Sequence, residues 1–134
     1  MLYASVRKLG LTSVLCALLA ACPSLTLAKE SGSAFTTAAI PSMTLAQLPR
    51  QGRETYALIY AGGPFPYEKD GSVFGNRERM LPAYPRGYYR EYTVRTPGVR
   101  SRGAKRIVCG GRPRTPDACY YTSDHYGSYR KITP

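Results

Sequence analysis

The stretch that determines the fold is "GYYREYTVRTPGVRSRGAKRIVC" (87–109). Its first part, 87–94, is aromatic and β-branched with polar residues at alternate positions, which is typical of a strand. "TPG" (96–98) has the residues of a turn, and "AKRIVC" (104–109) predicts a second strand. Two strands joined through a turn predict an antiparallel hairpin.

The rest of the chain predicts one helix followed by further strands. "LPRQGRETYALIYAGG" (48–63) predicts the helix, because Pro49 suits a first turn and Gly62–Gly63 supply a stop, although Gly52 weakens its start. Additional strands are predicted at 73–74, 119–122 and 127–132. A helix that precedes consecutive hairpin-connected strands indicates an α+β domain with an antiparallel sheet.

Residues 1–28 have the pattern of a secretory signal. A short positive segment precedes the uncharged apolar run "LTSVLCALLAAC" (11–22), which is too short to span a membrane comfortably. Small side chains near Ala28 favour cleavage after that residue. The alternative is a lipobox, "LAAC" (19–22), in which Cys22 would be lipidated and become the new N-terminus.

Either route exports the chain. We therefore expect a secreted protein, or alternatively a periplasmic one or one that is lipid-anchored through Cys22. Residues 29–46 are rich in Ser, Thr and Ala and lack a hydrophobic period, so they predict a flexible tether, with a short helix as the alternative. Residues 47–134 then form the folded domain.

Cys109 and Cys119 are the two cysteines outside the signal region. An even pair in an exported chain favours a disulfide over a metal site. The bridge would join adjacent strands and close a loop of about ten residues. Two cysteines and the single histidine, His125, fall short of a tetrahedral zinc ligand set, so no metal is expected.

The chain is strongly basic. Two of its 19 Lys and Arg lie in the signal, which leaves 17 against 8 Asp and Glu and a formal charge of +9. Such an excess favours an anionic partner, which could be nucleic acid, a membrane surface or an acidic protein. No basic amphipathic helix stands out after the signal, so the membrane is the weakest of these three.

Polar side chains recur on one face of the predicted hairpin. Glu91 points to the same side as the other odd-numbered residues of its strand, and Arg102 and Arg106 share a face of the next strand. If the strands pair through the 96–98 turn, a carboxylate and two guanidiniums converge on one surface. Taken alone, this pattern also fits a surface salt-bridge ladder, which contributes little to stability.

Several separated motifs resemble, in order and spacing, the small secreted bacterial guanyl-specific ribonucleases, the family of barnase. They are "FGNRE" (74–78), "EYTVRTPGVRSRGAKRI" (91–107) and "DHY" (124–126). The resemblance covers about 48–132 and is close to the streptomycete-type members in particular. It implies an N-terminal helix packed on a curved antiparallel β-sheet, in agreement with the pattern of helix and strands.

The resemblance also implies catalytic roles. Glu91 stands at the position of the general base and His125 at that of the general acid. Arg102 and Arg106 match the phosphate-binding arginines. Asp124 is not expected to touch the imidazole, because adjacent strand residues face opposite ways.

The same resemblance implies a guanine site in the loop 74–78. Glu78 matches the carboxylate that accepts the guanine N1 and N2 hydrogens, and the backbone N–H groups of Asn76 and Arg77 would meet O6. Adenine presents an acceptor at N1, which such a carboxylate cannot bind in this way. The remaining substrate-binding positions, which contact the base or shape the loop, are Phe74, Gly75 and Tyr126.

The implied activity is cleavage of single-stranded RNA on the 3′ side of guanosine through a 2′,3′-cyclic phosphate, with no metal or cofactor. The implied partners are the RNA and an acidic cytoplasmic inhibitor of the barstar type, with no obligate oligomer. The alternative is a non-catalytic basic module that binds RNA or another anion. Such a module would not need Glu91 and His125 together.

Overall fold

Within residues 38–134, which the computed structural model describes, six strands form one sheet and one helix packs on it. The elements are β1 (Ser42–Thr44), a 3₁₀ turn (Leu45–Gln47), α1 (Arg50–Ala61), β2 (Ser72–Val73), β3 (Tyr89–Thr93), β4 (Arg106–Arg112), β5 (Thr115–Thr122) and β6 (Arg130–Thr133). The strand order is β1-β6-β5-β4-β3-β2, and β2 to β6 pair antiparallel as expected. The α+β fold is confirmed.

The helix α1 lies within the predicted range 48–63. It ends at Gly62, whose φ of 84° is left-handed and whose N–H donates to the Leu58 carbonyl at 2.8 Å. Gly52 is buried, and a Cβ there would lie 3.3 Å from Leu48 Cδ2. The glycine that weakens the helix on its own therefore permits the close approach of Leu48. No helix in this part of the chain is long and apolar enough to cross a membrane.

The two faces of the sheet bury different sets of side chains. The helix-side core comprises Met43, Leu48, Ile59, Tyr92, Val94, Ile107, Cys109, Cys119, Tyr121 and Ile132. The opposite face, called here the distal face, buries Leu81, Tyr89, Val108, Tyr120 and Tyr129. The helix is also tied to the sheet by a hydrogen bond, in which Thr55 Oγ1 donates to the Thr93 carbonyl at 3.1 Å.

The register of β3 against β4 places Glu91 and Arg106 on the distal face. Glu91 lies opposite Val108, and Thr93 lies opposite Arg106. Side chains alternate along a strand, so both polar residues share the face of Val108, away from α1. The predicted hairpin and the shared face of these two residues are confirmed. Arg102, predicted on the same strand, lies instead in the loop before β4.

The disulfide between Cys109 and Cys119 is confirmed. The two residues lie opposite each other in the β4–β5 pair, with a Cα–Cα distance of 4.1 Å. Both are buried in the helix-side core. A bridge that closes a loop of this size stabilises the fold by about 2–3 kcal/mol on the chain-entropy model.

The tether predicted for 29–46 is wrong at its C-terminal end. Residues 42–44 form β1, which pairs parallel with β6 and makes the sheet mixed rather than purely antiparallel. Met43 is 6% exposed and belongs to the helix-side core, and Lys131 N donates to the Pro41 carbonyl at 2.7 Å. The folded domain thus includes residues before 47. The predicted signal peptide, Cys22 and the tether up to residue 37 lie outside the described residues.

We expect Met43→Ala to lower the free energy of unfolding, because it empties a buried position of the helix-side core. A buried Met→Ala change costs about 2–5 kcal/mol, and the lower figure is expected for a three-residue edge strand. Urea denaturation measures it. Ser42→Ala is the matched control, since Ser42 is exposed in the same strand and its change should stay within about 0.5 kcal/mol. Equal stability of both variants would contradict the packing of β1 and would favour a flexible tether at these residues.

Candidate active site

Glu91 is held at the centre of the site by two side chains. It faces the distal side of β3, and Arg102 Nη2 donates to Glu91 Oε1 at 3.3 Å. The hydroxyl of Tyr126 donates to the other carboxylate oxygen, Oε2. The Glu91 side chain is 14% exposed and that of Arg102 is 27% exposed, so water screens the pair less than a surface ion pair.

Arg102 is also held by Thr93 of β3 and by Asp70, which lies in the turn before β2. Its Nε donates to Thr93 Oγ1 at 3.0 Å, and its Nη2 lies 4.0 Å from Asp70 Oδ1. The side chain of Asp70 is only 1% exposed, and the same oxygen accepts from Thr93 N at 2.7 Å. One guanidinium therefore lies between two carboxylates, those of Asp70 and Glu91.

Arg106 is a buried guanidinium on β4. It is 3% exposed, and its Nη1 donates to the carbonyls of Arg102, Gly103 and Lys105 at 3.3, 2.9 and 2.8 Å. Its Nε has no hydrogen-bond partner among the described residues. The guanidinium carbon lies 6.0 Å from the centre of the Tyr126 ring. Arg106 forms no salt bridge with the described residues, and a cation that no carboxylate neutralises is suited to an anionic ligand.

His125 and Tyr126 follow β5 in an unusual turn. Both have left-handed backbones, with φ of 56° and 70°. The turn is held by His125 N, which donates to the Ala104 carbonyl at 3.2 Å, and by Tyr126 N, which donates to Thr122 Oγ1 at 3.1 Å. The imidazole is exposed, while Tyr126 is half-buried.

Asp124 supports this turn and does not bind the imidazole. Its Oδ1 accepts from Ser128 N and Thr122 Oγ1, both at 2.9 Å, and its Oδ2 accepts from Ser128 Oγ at 2.6 Å. These hydrogen bonds, chiefly those from Ser128, lower the pKa of Asp124 to about 2. None of these hydrogen bonds goes to His125, although the expected reason is wrong, because both residues lie in a turn and not on a strand.

Tyr126 connects Glu91 to the loop 74–78, where the guanine site is predicted. Its ring stacks on Phe74, with centroids 5.1 Å apart and planes inclined by 28°. Burial, together with the hydrogen bond to Glu91, raises the pKa of Tyr126 to about 12. The hydroxyl therefore stays protonated and remains a donor at neutral pH.

The loop 74–78 is braced by the side chain of Asn76. Its Nδ2 donates to the Leu81 carbonyl at 2.9 Å, and its Oδ1 accepts from Leu81 N at 3.1 Å. Asn76 has a left-handed φ of 47°, a conformation that asparagine tolerates better than most residues. At Gly75, a Cβ would make only ordinary contacts at 3.5 Å with Arg77, so the backbone does not require glycine there.

An open cleft of about 880 Å³ brings most of the predicted residues together. Its lining residues are Lys69, Ser72, Val73, Phe74, Gly75, Asn76, Arg77, Glu78, Met80, Glu91, His125, Tyr126 and Gly127. Arg102 and Arg106 do not line the cleft and join the site through Glu91 and Tyr126. Among residues 38–134, no group of three or more His, Cys, Asp and Glu side chains could hold a metal ion.

Comparisons with known proteins agree with this geometry. A ribonuclease family model matches residues 30–133. Guanyl-specific ribonuclease Sa3 of Kitasatospora aureofaciens is 50% identical over 94 residues, which are 70% of this chain and 64% of that protein. Guanyl-specific ribonuclease St of Saccharopolyspora erythraea is 48% identical over 94 residues, 70% of this chain and 89% of that protein. The chain belongs to the guanyl-specific ribonuclease family.

Solved structures of this family share the fold. Ribonuclease Sa2 with guanosine-2′-cyclophosphate superposes with a TM-score of 0.65 and 44% identity, over 72% of this chain and 98% of that chain. Ribonuclease Sa2 in complexes with mononucleotides gives a TM-score of 0.67 at the same identity, over 72% and 96% of the two chains. The chain thus spans less than two thirds of Sa3 but nearly all of Sa2. The expected family is confirmed.

The sequence pattern did not identify Asp70 as part of this ribonuclease site. Asp70 precedes Gly71, a pair that is typical of a turn, and the structure has a turn there, in which Tyr67 N donates to Asp70 Oδ2 at 3.3 Å. Nothing in a D-G pair indicates that the second oxygen faces an arginine. Lys69 and Ser72 also line the cleft, and no sequence motif marks them as site residues.

The hydrogen bonds to Asp124 predict a pH-dependent stability. Its pKa is depressed in the folded state, so the stabilisation is present above the unfolded value of 3.8 and is lost as the pH falls towards about 2. Wild type should therefore be more stable than Asp124→Asn at pH 7, and the difference should shrink below pH 4.

Urea denaturation at pH 7 and at pH 2.5 tests this prediction. Glu68→Gln is the matched control, because Glu68 is an exposed carboxyl group outside the turn. A difference between wild type and Asp124→Asn that is the same at both pH values would contradict the role of the charge.

Proposed function

We propose that this protein is a secreted endoribonuclease that cleaves single-stranded RNA on the 3′ side of guanosine through a 2′,3′-cyclic phosphate, without a metal ion. The observation that carries the proposal is the cleft in which Glu91 and His125 face a common space beside the loop 74–78. Family membership supports it, as do the structures of ribonuclease Sa2 with guanosine-2′-cyclophosphate and with 3′-GMP.

The first step transfers the phosphoryl group within the RNA. Glu91 removes the proton from the guanosine 2′-hydroxyl, and the 2′-oxygen attacks the adjacent phosphorus. The bond from phosphorus to the 5′-oxygen of the next nucleotide breaks, and the imidazolium of His125 protonates that oxygen. A carboxylate and an imidazole suit these two tasks because their ordinary pKa values lie on either side of mildly acidic pH.

The second step hydrolyses the cyclic phosphate with the roles exchanged. His125 now removes a proton from water, which attacks phosphorus, and Glu91 returns its proton to the 2′-oxygen as that bond breaks. The product is a guanosine 3′-phosphate, and both groups regain their starting protonation. DNA lacks the 2′-hydroxyl, so it binds without being cleaved by this route.

The two arginines of the site bind the phosphate group of the substrate. Arg102 and Arg106 stabilise the charge that develops on the non-bridging oxygens, since planar guanidiniums can donate two hydrogen bonds at once. The position of Arg106 supports this role, because its guanidinium carbon lies 6.0 Å from the centre of the Tyr126 ring, and Tyr126 lines the cleft. Tyr126 and Arg102 together hold Glu91 in place between the ribose and the sheet.

Guanine is selected by the loop 74–78. Glu78 accepts hydrogen bonds from guanine N1 and N2, and the backbone N–H groups of Asn76 and Arg77 donate to O6. The base lies against Phe74 and Tyr126, whose existing stack supplies an aromatic wall. The Asn76–Leu81 hydrogen bonds support this proposal, because they fix the backbone before the base arrives.

The enzyme acts outside the cytoplasm. The disulfide between Cys109 and Cys119 fits an oxidising compartment. Residues 1–28 direct export, with cleavage after Ala28 or, alternatively, lipid attachment at Cys22. An acidic inhibitor in the producing cell would match the basic charge and protect cellular RNA, and the enzyme works without an obligate oligomer.

The purified mature domain should cleave GpC, but not ApC, in the presence of EDTA. Glu91→Gln and His125→Ala should each lower turnover by about 10²–10⁴-fold, since each removes one proton transfer. Chromatography of the products measures both, with guanosine 2′,3′-cyclic phosphate expected first. Glu54→Gln is the control for loss of a carboxylate, because the one ion pair of Glu54 among residues 38–134 is with Arg50 on the exposed side of α1.

Two results would contradict the proposal. Normal turnover of either variant would remove that residue from the mechanism. Binding of RNA by the wild type without cleavage of either dinucleotide would identify a basic binding module.

Glu78→Gln should reduce the preference for guanine over adenine more than it reduces the rate of phosphoryl transfer. The amide cannot accept both guanine hydrogens, so the ratio of kcat/KM for GpC to that for ApC should fall, with kcat on GpC changed less. The two dinucleotides are compared under identical conditions. An unchanged ratio would exclude Glu78 from base recognition.

A further inference from the structure

A second cavity lies on the other side of the guanine loop. It has a volume of about 340 Å³ and is lined by Val73, Phe74, Gly75, Asn76, Arg77, Tyr84, Pro85, Arg86 and Tyr89. It shares residues 73–77 with the main cleft, but it contains neither Glu91 nor His125. The loop that is proposed to bind guanine is therefore the wall between two cavities.

The second cavity offers an aromatic platform. Tyr84 is 55% exposed, and its ring stacks on that of Tyr88 with centroids 3.8 Å apart and planes inclined by 12°. The Tyr84 ring also packs edge-to-face with that of Tyr89, with centroids 6.1 Å apart and planes inclined by 86°. Tyr88 is fixed in turn by its hydroxyl, which donates to Asp117 Oδ2 at 3.1 Å. A ring held in this way loses little conformational freedom when another ring stacks on it.

The same cavity is cationic. Arg77 and Arg86 line it, and both are exposed. Neither guanidinium forms a salt bridge with any residue of the described part of the chain. An exposed aromatic ring beside free guanidiniums is the combination that binds single-stranded nucleic acid, with stacking for the base and cations for the phosphate.

We propose that this cavity is a subsite for the nucleotide on the 5′ side of the guanosine, with its base stacked on Tyr84 and its phosphate bound by Arg77 and Arg86. The proposal rests on the proposed function. The 3′ side of the substrate leaves from the phosphate position beside Glu91 and His125, which the second cavity lacks. The chain that enters beside the base loop is therefore the 5′ extension.

The comparison of GpC with ApGpC tests the subsite. Wild type should have the higher kcat/KM on ApGpC, and Tyr84→Ala should lower that value by about 5- to 100-fold, the range for one base–aromatic stack. Its kcat/KM on GpC should not change. Tyr84→Phe should behave as wild type, and Arg86→Gln should lower kcat/KM on ApGpC and weaken its salt dependence.

A matched control is available on the helix. Tyr60 is 43% exposed and packs on another tyrosine, Tyr56, at 4.9 Å, so Tyr60→Ala removes a comparable surface ring far from the loop. It should leave both substrates unaffected. An analogue of ApGpC with 2′-deoxyguanosine lacks the nucleophile and is not cleaved. Its Kd for wild type, Tyr84→Ala and Tyr60→Ala therefore compares binding at the subsite without cleavage.

The outcomes separate the two proposals. Absence of GpC cleavage would overturn the proposed function, while a Tyr84-dependent Kd for the deoxy analogue would still support the subsite. Equal kcat/KM of wild type on GpC and ApGpC would overturn the subsite and leave the proposed function standing. An equal loss on both substrates in Tyr84→Ala would also overturn it, because Tyr84 would then only support the loop.

Discussion

The single register in which β3 pairs with β4 is the constraint on which the rest of this structure depends. With Glu91 opposite Val108 and Thr93 opposite Arg106, every apolar residue of both strands reaches a buried cluster, and the two polar residues share the distal face. A shift by one residue would turn Glu91 towards the helix-side core and Tyr92 towards the cleft. The core therefore enforces the position of the carboxylate, and the Cys109–Cys119 bridge holds the next pair of strands in the register that continues it.

The charges of the site form a chain rather than isolated pairs. Asp70 is buried, Arg102 lies between it and Glu91, and Tyr126 donates to the remaining oxygen of Glu91. Arg106 stands apart from these contacts and uses only carbonyl acceptors, with its Nε unpaired among the described residues. In this arrangement Arg102 is the ion-pair partner of Glu91, while Arg106 is held by backbone carbonyls. The two arginines that are proposed to bind the phosphate are therefore positioned by different kinds of partner.

The sequence predicts those parts of the molecule that depend on local alternation and on motifs in fixed order. Strand alternation predicts the β3–β4 hairpin, parity of the cysteines predicts the disulfide, and the resemblance predicts which residues gather at the cleft. β1 is not predicted because it has one buried side chain, Met43, which is too few for a hydrophobic pattern. Its partner strand, β6, also lies at the other end of the domain sequence. Asp70 escapes because a turn aspartate looks the same whether its second oxygen meets water or Arg102. Both omissions concern contacts between segments distant in sequence, which no local pattern encodes.

The turn at His125 and Tyr126 shows why a strand-based rule fails at the site itself. On a strand, neighbouring side chains point to opposite faces, yet both of these residues line the same cleft. Two consecutive left-handed backbones make this possible, at a cost of about 1–3 kcal/mol for each such residue. The hydrogen bonds of Asp124 to Ser128 and Thr122 offset that cost, and Thr122 Oγ1 also accepts from Tyr126 N. Asp124 therefore positions the imidazole without a hydrogen bond to it, because it stabilises the backbone that brings His125 and Tyr126 to one side.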